Sequence, residues 1–296
     1  INGVILHSQC GMGQPGTATG DRTPISNTLK LTHYTATAWY FKQLTPALQN
    51  QKLENILPEV EQFIMQEYIP AINMGGALSD SKRQEIAKKV ARYSGVSEQF
   101  VLANNLSIPS SAFWKELLRD QGLTTGRLDS RYTGMDSNDA GTRPGYSPEY
   151  DSWKHSFTPA INGYLRDDLG FKTNLEYNVS GNVYPWNNDN GITAGLLRRA
   201  MEQNPSLRVL NQAGYYDGAC EPFGAKYALW QMDAAGRLQD RIEYKEYQSG
   251  HMIYIRKDML KEANNDVRNF ILNAIPKKGE PIKYEVETVD LSNYDK

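Results

Sequence analysis

The stretch from Leu207 to Tyr254 constrains this chain more than any other. It reads LRVLNQAGYYDGACEPFGAKYALW, passes through a polar turn, and resumes as RIEYKEYQSGHMIY. Leu207, Val209 and Leu210 predict a short buried strand ending at Gly214, with Asp217 just past that end. Phe223 to Met232 carries apolar residues at helical spacing. Ile242 and Tyr244 predict a second strand, and His251 follows it after Ser249-Gly250. A right-handed crossover would make the two strands parallel neighbours. Both loops would then lie at one sheet edge, where open α/β sheets bind ligands. A carboxylate there can orient an imidazole, and the imidazole can take a proton from a nucleophile. Asp217 also suits a plain turn, because Tyr-Asp-Gly is turn chemistry.

An Asp loop followed by a His loop is the tail of the chain order Ser…Asp…His of α/β-hydrolases. At GYYDGACEPFGA and YQSGHMIYI the chain resembles the serine carboxypeptidases, in their bacterial branch. LTHYTATAWYFKQL and GLTTGRLDSRYTG extend the resemblance into the middle of the chain. It implies an α/β fold: the C-terminal part of an α/β-hydrolase-like parallel sheet, with a largely helical inserted cap. It implies release of C-terminal residues from a peptide substrate through an acyl-enzyme, without metal or organic cofactor, in a periplasmic or secreted setting. His251 would be the base and Asp217 its orienting acid. Met252 matches a Met that helps line the leaving-residue pocket. Cys220 stands where some members have a Cys beside the substrate, and equally where bacterial relatives read D-L-A-T-P.

The nucleophile is the missing piece. No G-x-S-x-G occurs; Gly191-Ile192-Thr193-Ala194-Gly195 matches with Thr for Ser, but reads as the start of a helix. The carboxypeptidases carry their Ser in a G-E-S-Y-G phrase shortly before a strand like INGVILHS, the opening of this chain. The expectation is therefore a C-terminal portion whose partner is an N-terminal half bearing the Ser. Two other readings stand beside it. One is another α/β-hydrolase activity, an aminopeptidase or esterase; the other is a non-catalytic binding protein on a hydrolase scaffold.

Composition narrows the field. A net charge of −2 offers no electrostatic case for nucleic acid or an anionic membrane. No apolar run approaches the roughly 20 residues that span a bilayer. The 4 histidines show no ligand spacing such as H-E-x-x-H. The 2 cysteines, Cys10 and Cys220, do not make a disulfide scaffold, and their pairing is open. Cys10 either faces the same cleft or is a buried inert thiol.

Along the chain, Val4-Ile5-Leu6 predicts a strand buried on both faces, with His7 a core or supporting histidine. Residues 10–30 predict a loop, and CGMGQPG lacks the Lys-Ser/Thr ending of a phosphate loop. Residues 33–120 read as helical, with caps at Ser79 or Asp80, Ser97 and Ser110 and stops at Gly95 and Gly122. Arg127, Asp129 and Arg131 suit either a local ion-pair network or carboxylate recognition by an arginine. Thr158-Pro159 predicts a helix start closed by Gly170, and 177–186 a strand or extended loop. Residues 187–191 predict a turn, and Asp258 caps a last helix. The predicted divisions are a core of 1–10 and 187–276, a cap of 11–186, and a polar tail of 277–296.

Overall fold

A computed structural model describes residues 1–12, 24–175, 177–182, 184–185 and 193–275. The expected tail and the turn at 187–191 lie outside the described residues. Strands β1 (Gly3–His7), β4 (Arg208–Gly214) and β5 (Ile242–Tyr247) form a three-stranded sheet in the order β1-β4-β5. Both pairings are parallel, with Val4 opposite Val209 and Val209 opposite Ile242. The short strands β2 (Thr124–Thr125) and β3 (Thr133–Gly134) pair separately as an antiparallel ribbon. The chain is thus a mixed α/β protein, with a parallel sheet and a mostly helical region between its first two strands.

β4 is central and buried from Val209 to Gly214. Its buried Gln212 is tied down by hydrogen bonds, donating to the Tyr247 hydroxyl at 2.8 Å and to the Ala263 carbonyl at 3.1 Å. Helices cover both faces. On one, α10 (Thr193–Gln203) and α11 (Pro222–Met232) bring Met201, Leu229 and Met232 against Val209 and Ile242. On the other lies α12 (Lys257–Ala274), whose Phe270 packs so closely on Gly3 that a Cβ there would meet its ring at 2.8 Å. β1 corrects the expectation of a strand buried on both faces. It is an edge strand of this sheet with Ile5 39% exposed, because its only described strand neighbour is β4. His7 is exposed at that edge rather than in the core, 3.3 Å from Gln212 through Nδ1 and stacked on Tyr254.

The helical region runs from α1 (Pro24–Leu29) through α2 (Leu31–Tyr40), α3 (Pro46–Gln49), α4 (Leu53–Phe63), α5 (Ile69–Met74), α6 (Asp80–Ser94), α7 (Glu98–Ala103) and α8 (Ser110–Glu116) to α9 (Pro148–Gly163). Ile56, Val60 and Phe63 of α4 enter one apolar core with Leu31 and Tyr34 of α2 and Ile86 and Val90 of α6. Phe223 of α11 joins that core, so the helical region grips the sheet layer through the helix that follows Asp217.

Several boundaries differ from expectation. Ser79 and Ser97 cap as predicted, accepting from the amides of Lys82 and Phe100. The predicted cap Ser110 is instead the first helical residue, after Pro109. α1 occupies the end of the expected loop, opened by Pro24. α9 starts at Ser147-Pro148 instead of Thr158-Pro159, which falls inside it. Two Ser/Thr-Pro pairs share one helix, and the first satisfies the start. α12 begins after Arg256, and Asp258 pairs with Arg256 instead of capping. The described residues of 177–185 form no strand.

The carboxyl ends of β4 and β5 come together only because Gly214 lacks a side chain. A Cβ there would sit 2.3 Å from the Gly250 carbonyl oxygen and 2.4 Å from that of Ser249. Gly214→Ala is expected to cost about 1–3 kcal/mol, the usual overpacking range. Urea denaturation checks this, and an unchanged midpoint would contradict the close approach.

Candidate active site

Asp217 sits one turn beyond β4. Its amide donates to the Gly214 carbonyl at 3.1 Å, and its Oδ1 accepts the amides of Ala219 and Cys220, both at 2.9 Å. This is the turn chemistry of Tyr-Asp-Gly, and it leaves the other oxygen free to act. Oδ2 meets Nδ1 of His251 at 2.8 Å. The Asp217 side chain is fully buried, whereas that of His251 is 32% exposed. The expected pair is therefore within hydrogen-bond reach, from loops that follow adjacent parallel strands.

Each loop is held from outside. The His251 amide donates to the Leu128 carbonyl at 2.7 Å, and the His251 carbonyl accepts from Ser8 Oγ at 2.6 Å. The Gly218 amide donates to the Arg127 carbonyl at 2.9 Å. Residues 126–131 therefore brace both loops at once. Their own anchor is Glu149, whose Oε1 accepts the amides of Arg127 and Leu128 at 3.1 and 2.8 Å. Two more glycines allow the approach. A Cβ on Gly250 would meet the Leu128 carbonyl at 2.5 Å, and one on Gly218 would meet His33 Nε2 at 2.6 Å. His33 is fully buried on α2, accepts from Trp114 Nε1 at 3.1 Å, and is held neutral because burial drops it to about 3. Ser8, Glu149 and His33 carried no sequence signal of their own, since their partners lie far along the chain.

The remaining candidates part company. Met252 is half-buried directly after His251. Cys220 is buried and forms a disulfide with Cys10, which joins the segment after β1 to the Asp217 loop. Neither cysteine is a free thiol, so the reading of Cys10 as a buried inert thiol is corrected; Cys10 itself is exposed. Arg131 takes the structural role: it grips Asp129 through Nε at 2.9 Å and Nη2 at 2.6 Å, donates to the Gln248 carbonyl at 3.0 Å, and lies over the Tyr216 ring. Thr193 is the first residue of α10, and the residues just before it lie outside the described set.

Asp217, Cys220 and His251 also bring an oxygen, a sulfur and a nitrogen within 4.8 Å of one another. As a metal donor set they fit poorly. The sulfur is committed to a disulfide, and both Asp217 oxygens already accept hydrogen bonds. Metal-binding sulfur is thiolate sulfur. Among the described residues, no helix is long and apolar enough to cross a membrane.

Electrostatics make the imidazole more basic than usual. The Asp217 hydrogen bond raises the His251 pKa above its ordinary value, against burial and the positive charge of Arg127, which pull it down. Nearby Glu221 is lifted to about 7, chiefly by burial, with Asp217 adding to the rise and Lys30 opposing it. No protein-family model, curated protein or solved structure matches the chain.

Asp217→Asn is expected to lower the His251 pKa, because an amide cannot stabilise the imidazolium as a carboxylate does. Linkage gives the sign for stability. A histidine raised on folding stabilises fully below its unfolded value, and that contribution is lost as pH rises through the folded value. The substitution should therefore cost more stability at acidic than at alkaline pH. An NMR titration of the four histidines reads the pKa, and an unmoved His251 resonance would show that the pair is not coupled.

Proposed function

We propose that Asp217 and His251 are the orienting acid and general base of a serine-type hydrolase of the carboxypeptidase kind, built on an α/β-hydrolase-like sheet. The observation that carries this reading is the 2.8 Å bond between a buried carboxylate and a part-exposed imidazole, at the carboxyl ends of adjacent parallel strands. Asp217 would fix the tautomer by accepting from Nδ1–H. Nε2 would then carry the lone pair that takes a proton from a serine hydroxyl and returns it to the leaving amine. The acyl group would pass to the serine and then to water.

No described serine, threonine or cysteine hydrogen-bonds to the imidazole ring; Ser8 engages the backbone carbonyl. The serine in this reading comes from a G-E-S-Y-G segment outside the 296 residues, which would also supply the oxyanion donors. The exposed edge at β1 supports such a neighbour, because an open strand with Ile5 on its surface invites pairing. The substrate would be a peptide, with Met252 beside the leaving residue, and the setting periplasmic or secreted. Acyl transfer of this type needs no cofactor.

Three proteins test the proposal: residues 1–296 alone, the chain extended upstream through a G-E-S-Y-G segment, and the extended chain with His251→Ala. Each is assayed for release of the C-terminal residue from a blocked dipeptide. Activity is expected only from the extended chain, with His251→Ala lowering turnover by a factor on the order of 10⁵–10⁶, by analogy with the handful of triads dissected by mutation. Comparable activity from residues 1–296 alone would overturn it. Ester cleavage without peptide cleavage would favour an esterase, and peptide binding without turnover a binding protein.

A further inference from the structure

One arginine of the GRLDSR stretch is left over. Arg131 is spent on Asp129, but the Arg127 guanidinium forms no ion pair among the described residues. Arg127 lines a cavity of about 520 Å³, within the range of small-ligand sites. Arg143 lines the same cavity and likewise forms no ion pair among the described residues. Ser111, Trp114, Tyr146 and Ser147 contribute to the wall, and no carboxylate does. The acids nearby are already committed. Glu149 takes the backbone amides of Arg127 and Leu128, and Asp136 takes Lys115 at 2.8 Å.

The cavity is preorganised. The segment bearing Arg143 is closed on itself by Asp136, which accepts the Gly145 amide at 2.9 Å while holding Lys115 in an ion pair whose side chains are 4% and 8% exposed. Lys115 also donates to the Asn138 carbonyl at 2.5 Å, and Arg119 to the carbonyls of Asp139 and Gly141. Two cations thus latch residues 136–141 onto α8 and the turn that follows it. The opposite wall is equally fixed, because the Arg127 and Leu128 amides donate to the Glu149 carboxylate and their carbonyls accept the amides of Gly218 and His251. The cavity therefore shares a wall with the candidate active site.

The geometry points to a carboxylate-binding subsite in which Arg127 and Arg143 hold an acidic group of the ligand beside His251. The guanidinium is the side chain whose planar fork matches a carboxylate. The aromatic faces of Trp114 and Tyr146 would cover the adjoining apolar portion, and the Ser111 and Ser147 hydroxyls can serve the remaining lone pairs. The group could be the C-terminal carboxylate of a peptide or an acidic side chain. The inference rests on the hydrolase reading only for the location of the reacting bond; binding of the carboxylate stands apart from turnover.

Binding is therefore measured without catalysis, on residues 1–296, by NMR of the arginine side chains and of His251. The probes are acetyl-Ala-Ala, its amide, and acetyl-Ala-Glu-amide, the last carrying only a side-chain carboxylate. Saturable binding of at least one carboxylate probe is expected, with the amide weaker. Whichever carboxylate binds identifies the source. Arg127→Gln and Arg143→Gln should each weaken that probe roughly tenfold, about one charge-assisted hydrogen bond. They should leave the amide unchanged, and Arg127→Lys should recover part of the loss. Equal binding of acid and amide, indifference to both Gln variants, or no binding by any carboxylate probe would overturn the subsite. Failed hydrolysis by the extended chain with intact carboxylate binding would overturn the hydrolase reading and leave the subsite standing.

Discussion

A carboxylate with no exposure to water sets the terms for everything around it. Burying an ionised Asp without partners costs several kcal/mol, so Asp217 is tolerable only where donors converge on it. Two are backbone amides, from Ala219 and Cys220, and the third is the His251 ring. The first two come free with the turn. The third requires that the loops after β4 and β5 meet, which fixes the parallel register and demands glycine at 214, 218 and 250, where backbone and side chains pack too closely for a Cβ. The disulfide to Cys10 adds a covalent tie from the segment after β1 to the same turn.

The helical region is more than a cover. Its loop 126–131 accepts hydrogen bonds from both site loops, and its helix α2 supplies His33 behind Gly218. Glu149 shows how far this bracing extends. Its carboxylate is buried, and burial raises its pKa, yet it accepts two amides from the bracing loop. Its Oε2 is buried and without a hydrogen-bond partner, which a proton on the carboxyl would ease. The ion pair of Arg131 with Asp129 pins the far end of the same loop beneath Tyr216. The region that would act as a cap thus also determines how firmly the base is held.

Much of this was legible because it is local or periodic. β4, α11 and β5 each carry their own pattern, and the Asp and His fall just past strand ends, where the chain must turn. Ser79, Ser97, Gly95 and Gly122 act within one turn of themselves, so their roles could be read directly. What stayed hidden depends on residues far apart in sequence. Val4-Ile5-Leu6 has the composition of a central strand, but exposure is decided by how many neighbours the sheet provides, and here Ile5 faces out. The pairing of Cys10 with Cys220 closes over most of the chain. Nothing local distinguishes Arg127 from Arg131, although Asp129 and the Gln248 carbonyl engage one and leave the other.

That division of labour bears on the base. Arg127 lies close enough for its charge to lower the affinity of His251 for a proton, while Asp217 raises it and prevails. A carboxylate held by Arg127 would neutralise the opposing charge and add a negative one nearby, so the imidazole would become more basic as the subsite fills. An anionic ligand would then help tune the group poised to act on it, and a neutral one of the same shape would not. The consequence can be read from the His251 titration, recorded with acetyl-Ala-Ala and with its amide. A rise in pKa with the acid alone is the expected result. An equal shift with both would mean that the ligand acts by excluding water and not through its charge.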